Sequence, residues 1–203
     1  MDPTAIERAA RGLLDRYLVE IVERFELCPW ARPARERGEL HVEILVAPAH
    51  QAADVVAAIA RIVDDPRASL GMVVFAASAM TNRELVELRD AGMRRDVAIA
   101  HFHPDGQGDL VTPARLVPCL RRSPDPMLQV VRWSALEAAR RVPPPPDRAT
   151  QLQWLAGQGA PPPPSIVDAI EAANHRTISA VGLEGFEAAI AELARARAIA
   201  YGM

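Results

Sequence analysis

Two runs of four consecutive prolines, Pro143–Pro146 and Pro161–Pro164, limit what this chain can fold into. Proline has no backbone N–H and a fixed φ, so neither run can sit inside a helix or a central strand. Four in succession favour a stiff extended rod. The chain is thereby expected to divide into three parts. Residues 1–142 form a core domain, and residues 143–164 a proline-rich linker with a short helix around Trp154. Residues 165–203 form a C-terminal helical module, interrupted by Gly182-Leu183-Glu184-Gly185.

Within 1–142 the hydrophobic periodicity alternates between helix and strand. Ile6, Leu13, Leu14, Tyr17, Leu18, Ile21, Val22 and Phe25 recur at spacings of three and four, which predicts a helix. Asp2 and Pro3 start it and Pro29 ends it. Residues 40–47 predict a strand, 51–64 a helix, and 71–77 a buried apolar strand. Thr81 with Glu84 is a capping box opening a helix through Met93. Strands are predicted at 97–102 and 127–132, a short helical turn at 113–120, and a helix at 134–142. Helices of this length between strands define an α/β fold: about four strands in a parallel or mixed sheet, flanked by helices, with the C-terminal helices appended. Strand order and the number of layers stay open.

Composition excludes whole reaction classes. All 23 basic residues are arginine and none is lysine. Schiff-base chemistry, a pyridoxal phosphate lysine, a Walker-type phosphate loop and a lysine base are therefore ruled out. A net charge of -3 and 4% aromatic residues argue against nucleic acid as a partner. The longest apolar run, Met72–Met80, is about half a membrane span, so no membrane partner is expected. The first residues are charged and lack a secretory apolar core. Two cysteines make no disulfide framework, and a reducing, cytoplasmic setting is the expectation. Gly-x-Ser-x-Gly, Cys-x-x-Cys and His-Glu-x-x-His are all missing from the sequence.

Three short segments carry chemistry-bearing residues. Cys28, in Leu27-Cys28-Pro29-Trp30-Ala31, is a nucleophile, a metal ligand, or a small buried residue. A helix C-terminus disfavours a thiolate, so reactivity would require Arg32, Arg35 or Arg122 nearby. His101 and His103 close the third strand, where alternate residues share a face and can act as a ligand pair. Ligands also collect at strand carboxyl ends. The loop Asp105-Gly106-Gln107-Gly108-Asp109 reads as a lid or simple turn, with Asp105 and Gln107 as substrate contacts. Arg121, Arg122 and Ser123 precede the fourth strand, and Arg132 ends it; forked guanidinium contacts suit a carboxylate or phosphate. Cys119 reads as core.

Together, Leu27-Cys28-Pro29-Trp30-Ala31, Phe102-His103-Pro104 and Arg122-Ser123-Pro124-Asp125-Pro126 resemble a bacterial family known only as a domain of unknown function (number fourteen-fifteen). The resemblance runs from about Tyr17 to about Leu155. It singles out Cys28, His103, Arg122 and Ser123 as family-type positions. Trp30 stands where that family usually has Phe, and Gly106 where an aromatic is usual. The resemblance implies no reaction.

The residue types thus support three readings. The first is a cytoplasmic enzyme acting on an anionic small molecule, with Cys28 as nucleophile, His103 as acid or base and Arg122 as clamp; it requires no cofactor. The second is a transition-metal or haem protein, or oxidoreductase, using His101 and His103 with or without Cys28. The third is a non-catalytic scaffold that meets a protein partner or its own copy through the C-terminal helices.

Overall fold

The computed structural model describes residues 2–47, 49–134, 156 and 166–203. The proline runs, the expected short helix around Trp154 and most of the expected helix at 134–142 fall outside the described residues. Four strands form one sheet: β1 (Leu40–Leu45), β2 (Leu70–Phe75), β3 (Val97–Phe102) and β4 (Met127–Arg132). Their spatial order is β1-β2-β4-β3. β1 runs parallel to β2 through a helical crossover, and β4 inserts antiparallel between β2 and β3. The sheet is therefore mixed, and β1, β2 and β3 all point their carboxyl ends the same way.

Among the described residues, helices pack on both faces of this sheet, giving three layers. α3 (Ala52–Asp64) and α4 (Asn82–Ala91) lie on one face, where Val55, Ile59, Ile62 and Leu85 meet Val73, Phe75, Val97, Leu128 and Val130. The opposite face packs Leu70, Met72, Val74 and Met127 against α1 (Pro3–Tyr17), α5 (Pro113–Leu120), α6 (Ile166–Val181) and α7 (Leu183–Tyr201). The alternation of buried side chains along each strand assigns successive residues to opposite layers. Thr81 accepts from the Glu84 N–H while the Glu84 carboxylate accepts from the Thr81 N–H, the reciprocal cap that the sequence signalled for α4.

Two features went beyond the sequence pattern. The first helix does not run straight to Pro29. It continues past Tyr17 as a π-helical segment, Leu18–Glu23, and the chain then reverses at Glu26, whose φ is +54°. A short helix, α2 (Ala31–Glu36), follows. It is pinned to the π segment by the buried Glu23 carboxylate, which accepts from Arg35 at 2.6 Å and from Arg32 at 3.3 Å.

The C-terminal helices share the main core. Ile178, Phe186, Ile190, Leu193 and Tyr201 belong to the same cluster as the α1 side chains, and Phe186 meets Phe25 edge-on at 5.2 Å. The attachment is also polar. Asp125, only 2% exposed, accepts from Arg197 Nε at 2.8 Å, from the Tyr201 hydroxyl at 2.6 Å and from the Ala77 N–H at 3.2 Å. Arg197 also donates to the Ser78 carbonyl at 2.9 Å. Burial, reinforced by the bond to Asp125, pushes the Tyr201 phenol far up, so it stays a donor. One carboxylate thus ties the start of β4, the turn after β2 and the last turns of α7 together. Among the described residues no helix is long and apolar enough to cross a membrane.

Breaking a buried pair strands its remaining charge, which costs several kcal/mol. Asp125→Ala is therefore expected to lower unfolding stability by about 3 kcal/mol in urea titration, and a loss below about 1 kcal/mol would contradict the clamp. A second expectation concerns pH. His41 bridges Asp65 (3.0 Å) and Glu43 (2.8 Å), and Glu43 also accepts from Arg61. Burial pulls the imidazolium pKa down, but the bonds to Glu43 and Asp65 outweigh it and hold the value above that of an ordinary histidine. A raised folded value means stability that is complete below about pH 6.5 and lost as pH rises through the folded pKa. Wild type should lose more stability than His41→Gln between pH 5.5 and 8.5. Equal losses would show that the bridge carries no such linkage.

Candidate functional site

The π-helical segment and the reversal after it shape a cavity of about 400 Å³ on the α1/α5/α6 face of the sheet. Single π turns are frequent at functional sites. The floor is the inner face of β3 and β4: Ala98, Ala100 and Phe102 beside Met127, Gln129 and Val131. Ala98 and Ala100 are too small to fill the layer above them, which leaves the space open. Tyr17, Leu18 and Val22 form one wall, Leu27 to Ala31 another, and α5 and α6 close the remaining sides. Most of this lining is apolar.

Cys28 is the nucleophile-type side chain of the cavity. The Gln129 amide Nε2 lies 4.0 Å from its sulfur, and the nearby Trp30 and Ala31 N–H groups favour the thiolate, the Ala31 N–H itself donating to the Cys28 carbonyl at 3.3 Å. The chain reverses at Glu26, two residues before Cys28, so Cys28 lies past the carbonyl end of the first helix. Burial nevertheless dominates and pushes the thiol above the usual cysteine range, so the resting group is S–H. Of the expected neighbouring cations, Arg32 and Arg35 are engaged by Glu23.

Tyr17 supplies a second reactive-type group. It is 1% exposed, and its hydroxyl has no hydrogen-bond partner among the described residues. Burial pushes its pKa far up and the nearby Cys28 adds to the shift, so it is a neutral donor within electrostatic reach of the thiol. Arg121, at the end of α5, also lines the cavity, as do Glu171 and Asn174 of α6. Asn174 donates to the Leu27 carbonyl and so braces the Cys28 loop against α6.

The other sequence candidates lie elsewhere. His103 is 6% exposed; its Nε2 donates to the Met80 carbonyl at 2.8 Å and its Nδ1 accepts from the Asp105 N–H at 3.2 Å. Both ring nitrogens are thus engaged by backbone. His101 faces the other side of the sheet, where Nδ1 accepts from Arg89 at 3.1 Å. Burial and the Arg89 and Arg121 cations lower its pKa. Arg122 donates to the Pro104 carbonyl and, with Ser123 and Arg197, borders a smaller pocket of about 110 Å³. Ser123 donates to the Asp125 carbonyl at 2.6 Å. Arg132 caps the end of α3 by donating to the carbonyls of Val63 and Asp65. Asp105 and Gln107 point to solvent. The loop that carries them packs closely: a Cβ on Gly106 would meet the Pro118 carbonyl at 2.1 Å, and one on Gly108 the Arg115 carbonyl at 2.4 Å. Its glycines serve close approach to α5 rather than a lid.

The geometry therefore joins Cys28 with Arg121 on one cavity and leaves His103, Arg122, Ser123, Arg132, Asp105 and Gln107 off its lining. Among the described residues no three His, Cys, Asp or Glu side chains converge as a metal site. The sequence reading passed over Tyr17 and Gln129. Tyr17 occupies an ordinary position in an amphipathic stripe. Gln129 carried a usable signal, since it is the only polar residue inside the apolar run 127–131. No protein-family model matches this chain, and neither a curated protein nor a solved structure matches it.

An unsatisfied buried hydroxyl destabilises the ligand-free protein by about 1–3 kcal/mol. Tyr17→Phe is thus expected to leave stability unchanged or raise it by about 1 kcal/mol in urea titration, whereas an equal loss would reveal a partner for the hydroxyl.

Proposed function

We propose that this protein is an enzyme for a small molecule, with the Cys28 thiol as the reacting group of the 400 Å³ cavity. The observation that carries the reading is a thiol within reach of the Gln129 amide in a mostly apolar cavity, beside a Tyr17 hydroxyl that has no hydrogen-bond partner among the described residues. A protonated thiol suits addition across a polarised double bond of the substrate. Sγ bonds to the electrophilic carbon and its proton ends on the substrate's heteroatom, so no leaving group or external oxidant is needed. The Gln129 amide, with the dipoles of the nearby Trp30 and Ala31 N–H groups, favours negative charge on sulfur as the proton leaves. The Tyr17 O–H is placed to donate to the heteroatom as charge develops there. Low dielectric strengthens both effects.

In this reading His103 and Arg122 are positioning residues. The His103 N–H donates to the Arg121 carbonyl at 3.0 Å, and Arg122 holds the Pro104 carbonyl, so together they fix the loop that presents Arg121. The three shared motifs support kinship with the domain-of-unknown-function family (number fourteen-fifteen). Two free cysteines agree with a reducing compartment such as the cytoplasm.

N-ethylmaleimide, which is small and uncharged, is expected to modify Cys28 well before the buried Cys119. Because burial raises the Cys28 pKa, the rate should still be climbing at about pH 9, above the usual thiol midpoint of about 8.5. Peptide mapping of the labelled protein checks both points. Equal, slow labelling of the two cysteines in folded protein would overturn the reading.

A further inference from the structure

The same cavity holds a cation that the thiol chemistry does not use. Arg121 lines it, yet among the described residues its guanidinium makes no hydrogen bond or ion pair; only longer-range fields act on it. Burial lowers its pKa, which records the cost of holding that charge away from water. The Glu171 carboxylate on the same lining offsets part of that cost, and Arg89 adds to it. Arg89 itself is occupied by Asp90 at 2.7 Å and by His101 at 3.1 Å. A half-buried guanidinium with its five donors unspent is a fork that matches a carboxylate.

We propose that the cavity takes a monocarboxylate with an apolar body, its carboxylate on Arg121 and its body over Ala98, Ala100 and Met72. This deepens the reading above and rests on the cavity being the functional site. Two observations select the class. Among the described residues the lining offers one unpaired cation, Arg121, and carries Glu171 as well, so the repulsion from Glu171 is about twice as large for a phosphate dianion as for a monoanion. The walls beyond Arg121 include Leu120, Val117 and Ile170, which reward a hydrocarbon or aromatic body rather than a sugar. A volume of 400 Å³ lies at the small end of ligand pockets, about 300–1,000 Å³.

The test is binding of octanoate, 3-phenylpropionate, octanol and octyl phosphate to the full chain. Calorimetry and the fluorescence of Trp30 and Trp133, both on the lining, provide the readouts. Octanoate or 3-phenylpropionate should bind, with octanol and octyl phosphate weaker by roughly tenfold or more, the worth of a charge-assisted contact. Arg121→Gln should erase the preference for carboxylate over alcohol, and Arg121→Lys should restore part of it. Ala98→Leu, which fills the floor, should weaken all four probes while the far-ultraviolet spectrum stays native. No carboxylate binding, or equal binding of octanoate and octanol to wild type, would overturn the proposal. So would an unchanged preference in a folded Arg121→Gln. None of the probes carries an electrophile, so the outcome is separable from the thiol reading. Binding with an inert Cys28 keeps this inference and removes the thiol chemistry; a reactive Cys28 without carboxylate binding does the reverse.

Discussion

The arrangement of this protein depends on one buried carboxylate. Asp125 lies where the chain turns into β4, and it is shared by Arg197, Tyr201 and the Ala77 N–H. Ala77 is held at φ +54°, a conformation that a non-glycine residue adopts only when its surroundings impose it. The Asp125 bond to its N–H is one such constraint. The carboxylate thus joins the end of β2, the start of β4 and a helix more than seventy residues further on. With α7 anchored, Ile190 and Leu193 complete the core above α1, and α6 is carried into place across the mouth of the β3–β4 floor.

The cavity follows from that placement. Its volume arises because two alanines on an edge strand face a layer whose helices are held apart by their own packing. Its chemistry arises because a reversal at Glu26 brings Cys28 beneath α6 and beside β4. The Glu23 ion pairs fix the reversal from outside, and the Asn174 bond to the Leu27 carbonyl fixes it from within. Cys28, Tyr17, Gln129 and Arg121 come from four separate elements. Each is desolvated, and none is neutralised by a direct partner ion among the described residues. Such a set costs stability and is expected where binding recovers it.

Much of the fold was legible in the sequence, because periodicity reports burial directly. All four strands and the α4 capping box lie where the apolar pattern placed them. The strand order was not legible, since nothing local distinguishes a β4 that inserts beside β2 from one added at the edge. α2 was hidden because Pro33 and the charged Arg32, Arg35 and Glu36 leave no stripe to read. The C-terminal helices read as an appendage because a proline run precedes them, while their docking rests on Asp125, a residue whose motif looked like a loop.

The candidate site was legible only in part, for a related reason. Cys28 and Arg121 were visible as residue types. Histidine at a strand end looks the same in sequence whether its nitrogens face a ligand or, as in His103, the backbone of two loops. Tyr17 looked like any helix-stripe aromatic; what distinguishes it is a missing partner, which only the folded geometry reveals.

If Cys28 is the reacting group, the cavity is the route to it. It is tested most directly by the alkylation rate of Cys28 in Ala100→Leu, which fills the floor opposite Gln129 without touching the thiol. A folded variant whose Cys28 labels several-fold more slowly than wild type, approaching Cys119, is expected. An unchanged Cys28 rate in the folded variant would contradict it.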